Sequence, residues 1–182
     1  MAGRLVWTAV TALLVPATLW AQTEKKGFQI FTDVANQVEH YVRYSVFDDV
    51  SVAVNDGVVT LRGKVTMPFK ASDIERRVAK VDGVRQVRNE LTVLPVSFFD
   101  DQLRYQIARA IYNNPNFWHY ASMSNPPIHI IVEHGRVTLT GVVHDEVERM
   151  LARSLAMSYN AFSVENKLRT DAEAKAELER IR

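Results

Sequence analysis

From Val50 onward apolar and polar residues alternate. Val50, Val52 and Val54 fall on one side of an extended chain and Ser51, Ala53 and Asn55 on the other, the period of two expected of a half-buried strand. Asn55-Asp56-Gly57 supplies turn residues that tolerate positive φ, and Val59, Leu61, Gly63 and Val65 resume the alternation, so the segment predicts a β-hairpin. The period then changes. Pro68 suits a first helical turn, Ala71, Ile74, Val78 and Val81 form one apolar stripe, and Gly83 ends it. Val87, Asn89, Leu91 and Val93 return to a strand, while upstream Phe31, Val34, Ala35, Val38 and Val42 carry helical spacing.

The same phrase is written a second time. Val50–Val65 lies over Ile128–Val143 at an offset of 78, with 7 of 16 positions identical, and Val87–Leu91 lies over Val164–Leu168 at an offset of 77. Two separated blocks in one order mark a tandem duplication. In the second copy Ile128, Ile130 and Val132 lead into a turn at Glu133-His134-Gly135, and Val137, Leu139, Gly141 and Val143 form the hairpin partner. Val147, Leu151, Ser154, Leu155 and Ser158 are the expected inward stripe of the following helix, ending near Asn160 as a left-handed cap. Val164, Asn166 and Leu168 close the copy, and Leu103, Ile107, Ala110 and Ile111 open it, with Asp100 or Asp101 placed to cap. Gly63 and Gly141 fall in the apolar phase, where a helix or a neighbouring backbone can approach closely or a bulge can form. The expected fold is α+β: two tandem αββαβ units, each a small mixed three-stranded sheet covered by two helices.

The ends have a different character. Arg4 precedes an uncharged apolar run that closes on Leu19-Trp20-Ala21, after which Gln22–Lys26 is polar, the layout of a cleaved secretory signal peptide over residues 1–21. An uncleaved anchor fits less well, since Pro16 and Thr8, Thr11 and Thr18 interrupt a run barely long enough to span a bilayer. The expected divisions are unit one over 30–94, a linker at 95–98, unit two over 99–169, and a charged helical tail over 170–182.

The hairpin phrase V-x-V-x-D-G-V-V-T-L-x-G-x-V, the helix closing on V-x-G-V and the strand V-x-N-x-L resemble the BON domain. Asp56, Gly57, Gly63, Gly83, Val84 and Asn89 fill that pattern in copy one; Gly135, Gly141 and Asn166 fill it in copy two, where His134 replaces Asp and Asn160 stands at the glycine position. An export signal followed by two such units is similar to the osmotically induced periplasmic proteins of that family. The resemblance implies a non-enzymatic protein of the periplasm and cell envelope with affinity for phospholipid.

Composition narrows the chemistry. The 182 residues hold 22 Lys+Arg, 21 Asp+Glu and no Cys, so disulfides, thiolate metal sites and thiol nucleophiles are excluded. Losing Arg4 with the leader leaves 21 basic and 21 acidic residues. That neutrality, export, and the lack of a G-x-x-G clamp argue against nucleic acid. His40, His119, His129, His134 and His144 show no metal-ligand spacing, and His129 is expected on the polar side of its strand. No nucleophile elbow or phosphate loop occurs, and Asp48-Asp49 and Asp100-Asp101 read as turn and cap residues. No catalytic residue, metal or cofactor is expected. Asn89 and Asn166 share the apolar phase, as amides tying neighbouring backbone together.

Two features suggest a binding surface. With Leu103, Ile107 and Ile111 facing inward, Tyr105, Arg109 and Tyr112 line the outer side of their helix, suited to a lipid headgroup boundary or to packing on the neighbouring unit. The second is an inserted loop, 113–127, which carries Phe117, Trp118, His119, Tyr120 and Met123. It reads either as a contact element or as a lid on its own core. The expected partner is anionic phospholipid, the alternative an envelope protein for which this chain acts as an adaptor.

Overall fold

The computed structural model describes residues 17–181, with side chains over 27–180; residues 1–16 of the expected leader lie outside the described residues. A first helix, α1 (Ala17–Glu39), precedes the hairpin β1 (Asp49–Asn55) and β2 (Val58–Val65). Helix α2 (Pro68–Val78) then crosses to β3 (Gln86–Val93), which runs parallel to β2. The second copy repeats this with α3 (Phe98–Tyr112), β4 (Ile128–Glu133), β5 (Arg136–Val143), α5 (Glu146–Met157) and β6 (Ser163–Asn166). Between α3 and β4 come a 3-10 turn (Pro115–Phe117) and the short α4 (Trp118–Ala121). The chain closes with β7 (Arg169–Thr170) and α6 (Asp171–Ile181). Sheet one has the order β1-β2-β3. Sheet two has β4-β5-β6 with β7 also paired to β5, so it carries a fourth strand where three were expected. The last strand breaks at Lys167–Leu168, where Leu168 turns into the core and Lys167 N–H donates to the Leu139 carbonyl at 2.8 Å.

Both hairpins follow their sequence pattern. Asp56 and Gly57, and His134 and Gly135, all sit at positive φ, the two-residue turn that matches strand twist. Gly63 and Gly141 are spaces for backbone: a Cβ there would lie 2.1 Å from the Asp49 carbonyl oxygen and 1.8 Å from that of Pro127. The close neighbour is thus the preceding strand, not a helix. Asn89 and Asn166 tie strand to helix. Asn89 donates to the Ala71 carbonyl at 3.1 Å and Asn166 to that of Arg149 at 2.9 Å, and each accepts an amide hydrogen two residues on.

Each unit has its own core. Ile30, Val34, Val38, Val59, Leu61, Val65, Ile74 and Val78 centre the first; Leu103, Ile107, Ile111, Ile128, Ile130, Leu139, Ala152 and Ala156 centre the second. Several expected core positions lie elsewhere. Helix α1 ends before Val42, which is exposed, and Tyr41 enters the core instead, its hydroxyl donating to Asp73 at 2.6 Å. On α5, Val147, Ser154 and Ser158 face solvent, and the buried stripe is Ala152 and Ala156 flanked by Leu151 and Leu155. Ser158 ends that helix in a right-handed conformation, and Asn160 does not take the left-handed one. Ser97 caps α3 by accepting the Asp100 amide, freeing Asp100 for another role. The tail is held at its start by a capping box: the Thr170 amide donates to Glu173 and the Glu173 amide to Thr170. Beyond it α6 is largely exposed.

One carboxylate organises unit one. Asp48 is fully buried and accepts from the Ser45 amide (2.9 Å) and hydroxyl (2.7 Å), the Thr66 amide (2.8 Å) and hydroxyl (2.9 Å), and Lys70 Nζ (2.6 Å). Unit two carries the same lock with its charge moved. At the positions 78 residues on, His144 stands for Thr66 and Glu148 for Lys70. Glu148 accepts the Tyr120 hydroxyl at 2.7 Å and the His144 amide at 2.9 Å. The carboxylate has passed from loop to helix.

Removing one member of a buried ion pair typically costs about 3–5 kcal/mol, because the other is left buried without compensation. Asp48→Ala is expected to destabilise unit one by about that much in urea unfolding. Lys70→Met, which leaves the carboxylate its hydroxyl and amide donors, is expected to cost less.

Candidate functional site

The site is built on α3 and on what surrounds it. Helix α3 is placed with unusual firmness. Asp100 reaches across to the β4–β5 turn and accepts the amides of His134 (2.9 Å) and Gly135 (2.7 Å). Arg104, also buried, donates to the Val132 carbonyl at 2.6 Å and pairs with Asp101. Leu103, Ile107 and Ile111 fill the core, so the opposite side of the helix is fixed in orientation toward solvent.

That outer side carries Phe98, Gln102, Tyr105 and Arg109, spaced by four, three and four residues and all exposed. They form one stripe over about 16 Å of helix. Phe98 is 85% exposed, an uncommon position for phenylalanine. Arg109 takes part in none of the ion pairs among the described residues. Tyr112 leaves the stripe: its ring packs against the core and its hydroxyl donates to the Ile128 carbonyl, with burial pushing its pKa up.

The hairpin tip next to α3 continues the aromatic surface. The rings of Phe162 and Phe99 both border Gly135, and Phe162 is 80% exposed. In unit one the corresponding position holds Arg85: the Arg85 amide bonds the Gly57 carbonyl as the Phe162 amide bonds that of Gly135. The tip of copy one is therefore polar and that of copy two aromatic.

The inserted loop divides between the two readings open to it. Phe117 is fully buried and Tyr120 nearly so, the latter fixed by Glu148 and the His144 amide; burial first, then Glu148, pushes its pKa up. These two residues make the loop a lid on core two. Trp118 is 75% exposed and Met123 about half, so one aromatic of the loop stays at the surface.

The units meet along β4. The Ile130 amide donates to the Val46 carbonyl at 2.6 Å, Lys64 pairs with Glu133, and Phe47 packs on core two. Phe47 meets Tyr105 edge-on with ring centroids 5.1 Å apart, so Tyr105 serves both the outer stripe and the seam. This seam also moves His129. Expected on a polar surface, it is buried, because Tyr44–Asp48 of unit one covers that side of β4; its ring lies 5.3 Å from Tyr44 and its Nδ1 has no hydrogen-bond partner. Burial lowers the His129 pKa below its ordinary 6.5, while the Asp49 carboxylate and the carbonyls of Asp48 and Ser45 hold it partway back.

Phe98, Phe162 and Phe47 escaped the sequence reading. Phe98 had a signal, lying seven residues before Tyr105 on one helical face. Phe162 and Phe47 sit in connections and had none. Among the described residues no three His, Asp or Glu side chains converge on a common point, and no helix is long and apolar enough to cross a membrane.

The BON domain model matches the chain twice, over residues 32–95 and 99–172. Two solved structures are similar to it, both of CdsD, a structural protein of the type III secretion system of Chlamydia trachomatis. One is 14% identical and covers 81% of this chain and 97% of that one, with a TM-score of 0.27. The other, of the C-terminal domain, is 14% identical and covers 75% and 96%, with a TM-score of 0.27. At such scores neither bears on function. No curated protein matches the chain.

The buried imidazole gives the seam a pH dependence of defined sign. With its folded pKa lowered below 6.5, His129 costs nothing at higher pH. Stability is lost as pH falls from 6.5 through the lowered value, because the unfolded chain takes up the proton first. In unfolding series from pH 8 to 5, His129→Gln is expected to flatten part of that decline.

Proposed function

The chain belongs to the BON-domain family, with two such domains in tandem, and on that premise we propose that it is a non-enzymatic envelope protein that binds anionic phospholipid peripherally through the outer side of α3. The reading rests on one observation: Phe98, Gln102, Tyr105 and Arg109 stand in a single exposed stripe on a helix that cannot turn away. Arg109 supplies an uncommitted positive charge for phosphate, worth about 1 kcal/mol near an anionic surface. Tyr105 has the amphipathic form that suits a headgroup boundary. Phe98, with Phe162 at the adjoining tip, supplies apolar area; inserting one such ring into the acyl region contributes about 1.5–3 kcal/mol. Arg136 at the same tip is exposed and adds positive charge there. Trp118 is a further aromatic of the kind that settles at the interface.

The apolar leader ending at Ala21 supports export, so the lipid encountered is that of the periplasmic faces of the envelope. The role this serves is maintenance of the envelope, including under osmotic stress. No chemistry on the lipid is involved.

An adaptor reading draws on a different feature. A groove of about 280 Å³ runs between α3 and the end of α5, lined by Phe99, Gln102, Gln106, Tyr159 and Asn160. Its amide side chains can bond a peptide backbone. A defined envelope protein crosslinked at Gln106, with vesicles giving nothing, would favour it.

Flotation with phosphatidylglycerol and phosphatidylcholine vesicles tests the lipid reading. Recovery is expected with anionic vesicles only and is expected to fall at high salt. Arg109→Glu is expected to weaken binding by about tenfold, and Phe98→Ala with Phe162→Ala by at least as much, with thermal stability preserved because all three side chains are exposed. Absence of flotation under every condition overturns the reading.

A further inference from the structure

Helix α5 is apolar on two opposite sides. Ala152, Ala156, Leu151 and Leu155 face the core. On the far side Met150 and Met157 are 64% and 58% exposed and stand seven residues apart on one line, with Val147, 71% exposed, on the flank toward Leu151. A surface helix normally carries one apolar side, so the outer stripe calls for a covering surface. Beside it runs a shallow groove of about 560 Å³ between α5 and β6, bordered by Arg149, Met150, Arg153, Val164 and Glu165.

The charges along the stripe identify the occupant. Glu146 and Glu165 share the rim of that groove with Arg149 and Arg153, two acids and two bases, so it offers an anionic membrane no net attraction. Glu146 lies near the start of α5 and Arg153 one heptad later; Arg149 pairs with Glu146 and Glu173, while Arg153 has no ion-pair partner among the described residues. The midpoint between Glu146 and Arg153 falls beside Met150. A two-fold axis there, with helices antiparallel, sets Glu146 of each copy against Arg153 of the other and Met150 against the Met150 region of the second copy. The surface is self-complementary, as an isologous contact requires.

We propose that the protein forms a two-fold dimer through the outer side of α5, with a second copy of this chain as the occupant. The contact lies on a different helix from the lipid stripe of α3, so each can fail alone. A dimer carries two α3 stripes, and paired sites raise avidity on a surface that both can reach.

Sedimentation equilibrium of the full chain, as purified from the producing cell, tests this across micromolar concentrations. A mass rising to twice the monomer is expected, and Met150→Glu is expected to weaken association at least tenfold, since each substitution enters the contact twice. Glu146→Arg and Arg153→Glu are each expected to weaken it, and the double variant to restore it, because the pair is exchanged between copies. Circular dichroism should be unchanged throughout, as the side chains are exposed. A monomer at every concentration, or a dimer indifferent to Met150→Glu, overturns the proposal. Failure of the double variant to restore association overturns the antiparallel register. A monomer whose flotation with vesicles depends on Met150 would instead assign this side of α5 to lipid.

Discussion

The Asp48 carboxylate is the constraint from which the arrangement of the two units follows. A charge without solvent is tolerated only when surrounded by donors, and here the donors come from three places in the chain: Ser45, Thr66 and Lys70. Satisfying it closes residues 45–48 into a turn on top of unit one. The outer side of that turn carries the Val46 carbonyl and the Phe47 ring, the two groups that engage β4 and core two. Folding of the first unit thereby completes the surface on which the second docks. A short linker at 95–98 keeps the pair close, but the turn fixes their seam.

Duplication has been followed by a division of labour. Both copies need a bond network that pins the start of the second helix to the connection before the hairpin. One copy meets it with Asp48 and Lys70, the other with Tyr120 and Glu148. Moving the acid to the helix leaves the loop free to contribute a phenol, and with it Phe117 as a lid. The hairpin tips diverge in the same direction: Arg85 folds back on its own turn in copy one, while Phe162 stands outward in copy two. Exposed aromatic and sulfur-bearing side chains collect on the second unit, whose α3 and α5 present separate outward stripes. Unit one carries the turn that makes the seam, and the exposed stripes lie on unit two.

The seam shows how a polar position becomes a buried one. His129 alternates correctly with Ile128 and Ile130, and on an isolated hairpin it would be wet. Covering it leaves an imidazole nitrogen without a partner, which makes docking sensitive to protonation at that ring. Tyr105 sits on the border of the same contact. Of the two readings its helix position allowed, packing on the neighbouring unit is met by Phe47, which takes one edge of the ring, and the rest of the ring is left to solvent.

Much of what depends on the backbone over a few residues was legible in the sequence, though not the end of α1, the Ser97 cap of α3 or the close of α5. The duplication, the hairpins with turns at Asp56-Gly57 and His134-Gly135, the special glycines at 63 and 141, the mixed sheets and the backbone-tying amides of Asn89 and Asn166 all follow from period, turn chemistry and repetition. So did half of the outer stripe of α3, in Tyr105 and Arg109. Which side of an element is covered was not legible where two sides were both apolar, as on α5, or where the cover comes from far away. Ala152 and Ala156 are small enough to let α5 approach the sheet, and that fit, not the greater hydrophobicity of Val147, selects the inward side. His129 and the Val46–Phe47 turn are separated by some eighty residues, and Tyr112 and Tyr120 find their oxygen partners only once the core has closed. Local periodicity is a property of the chain alone; burial is a property of pairs of surfaces, and only the tertiary structure brings those together.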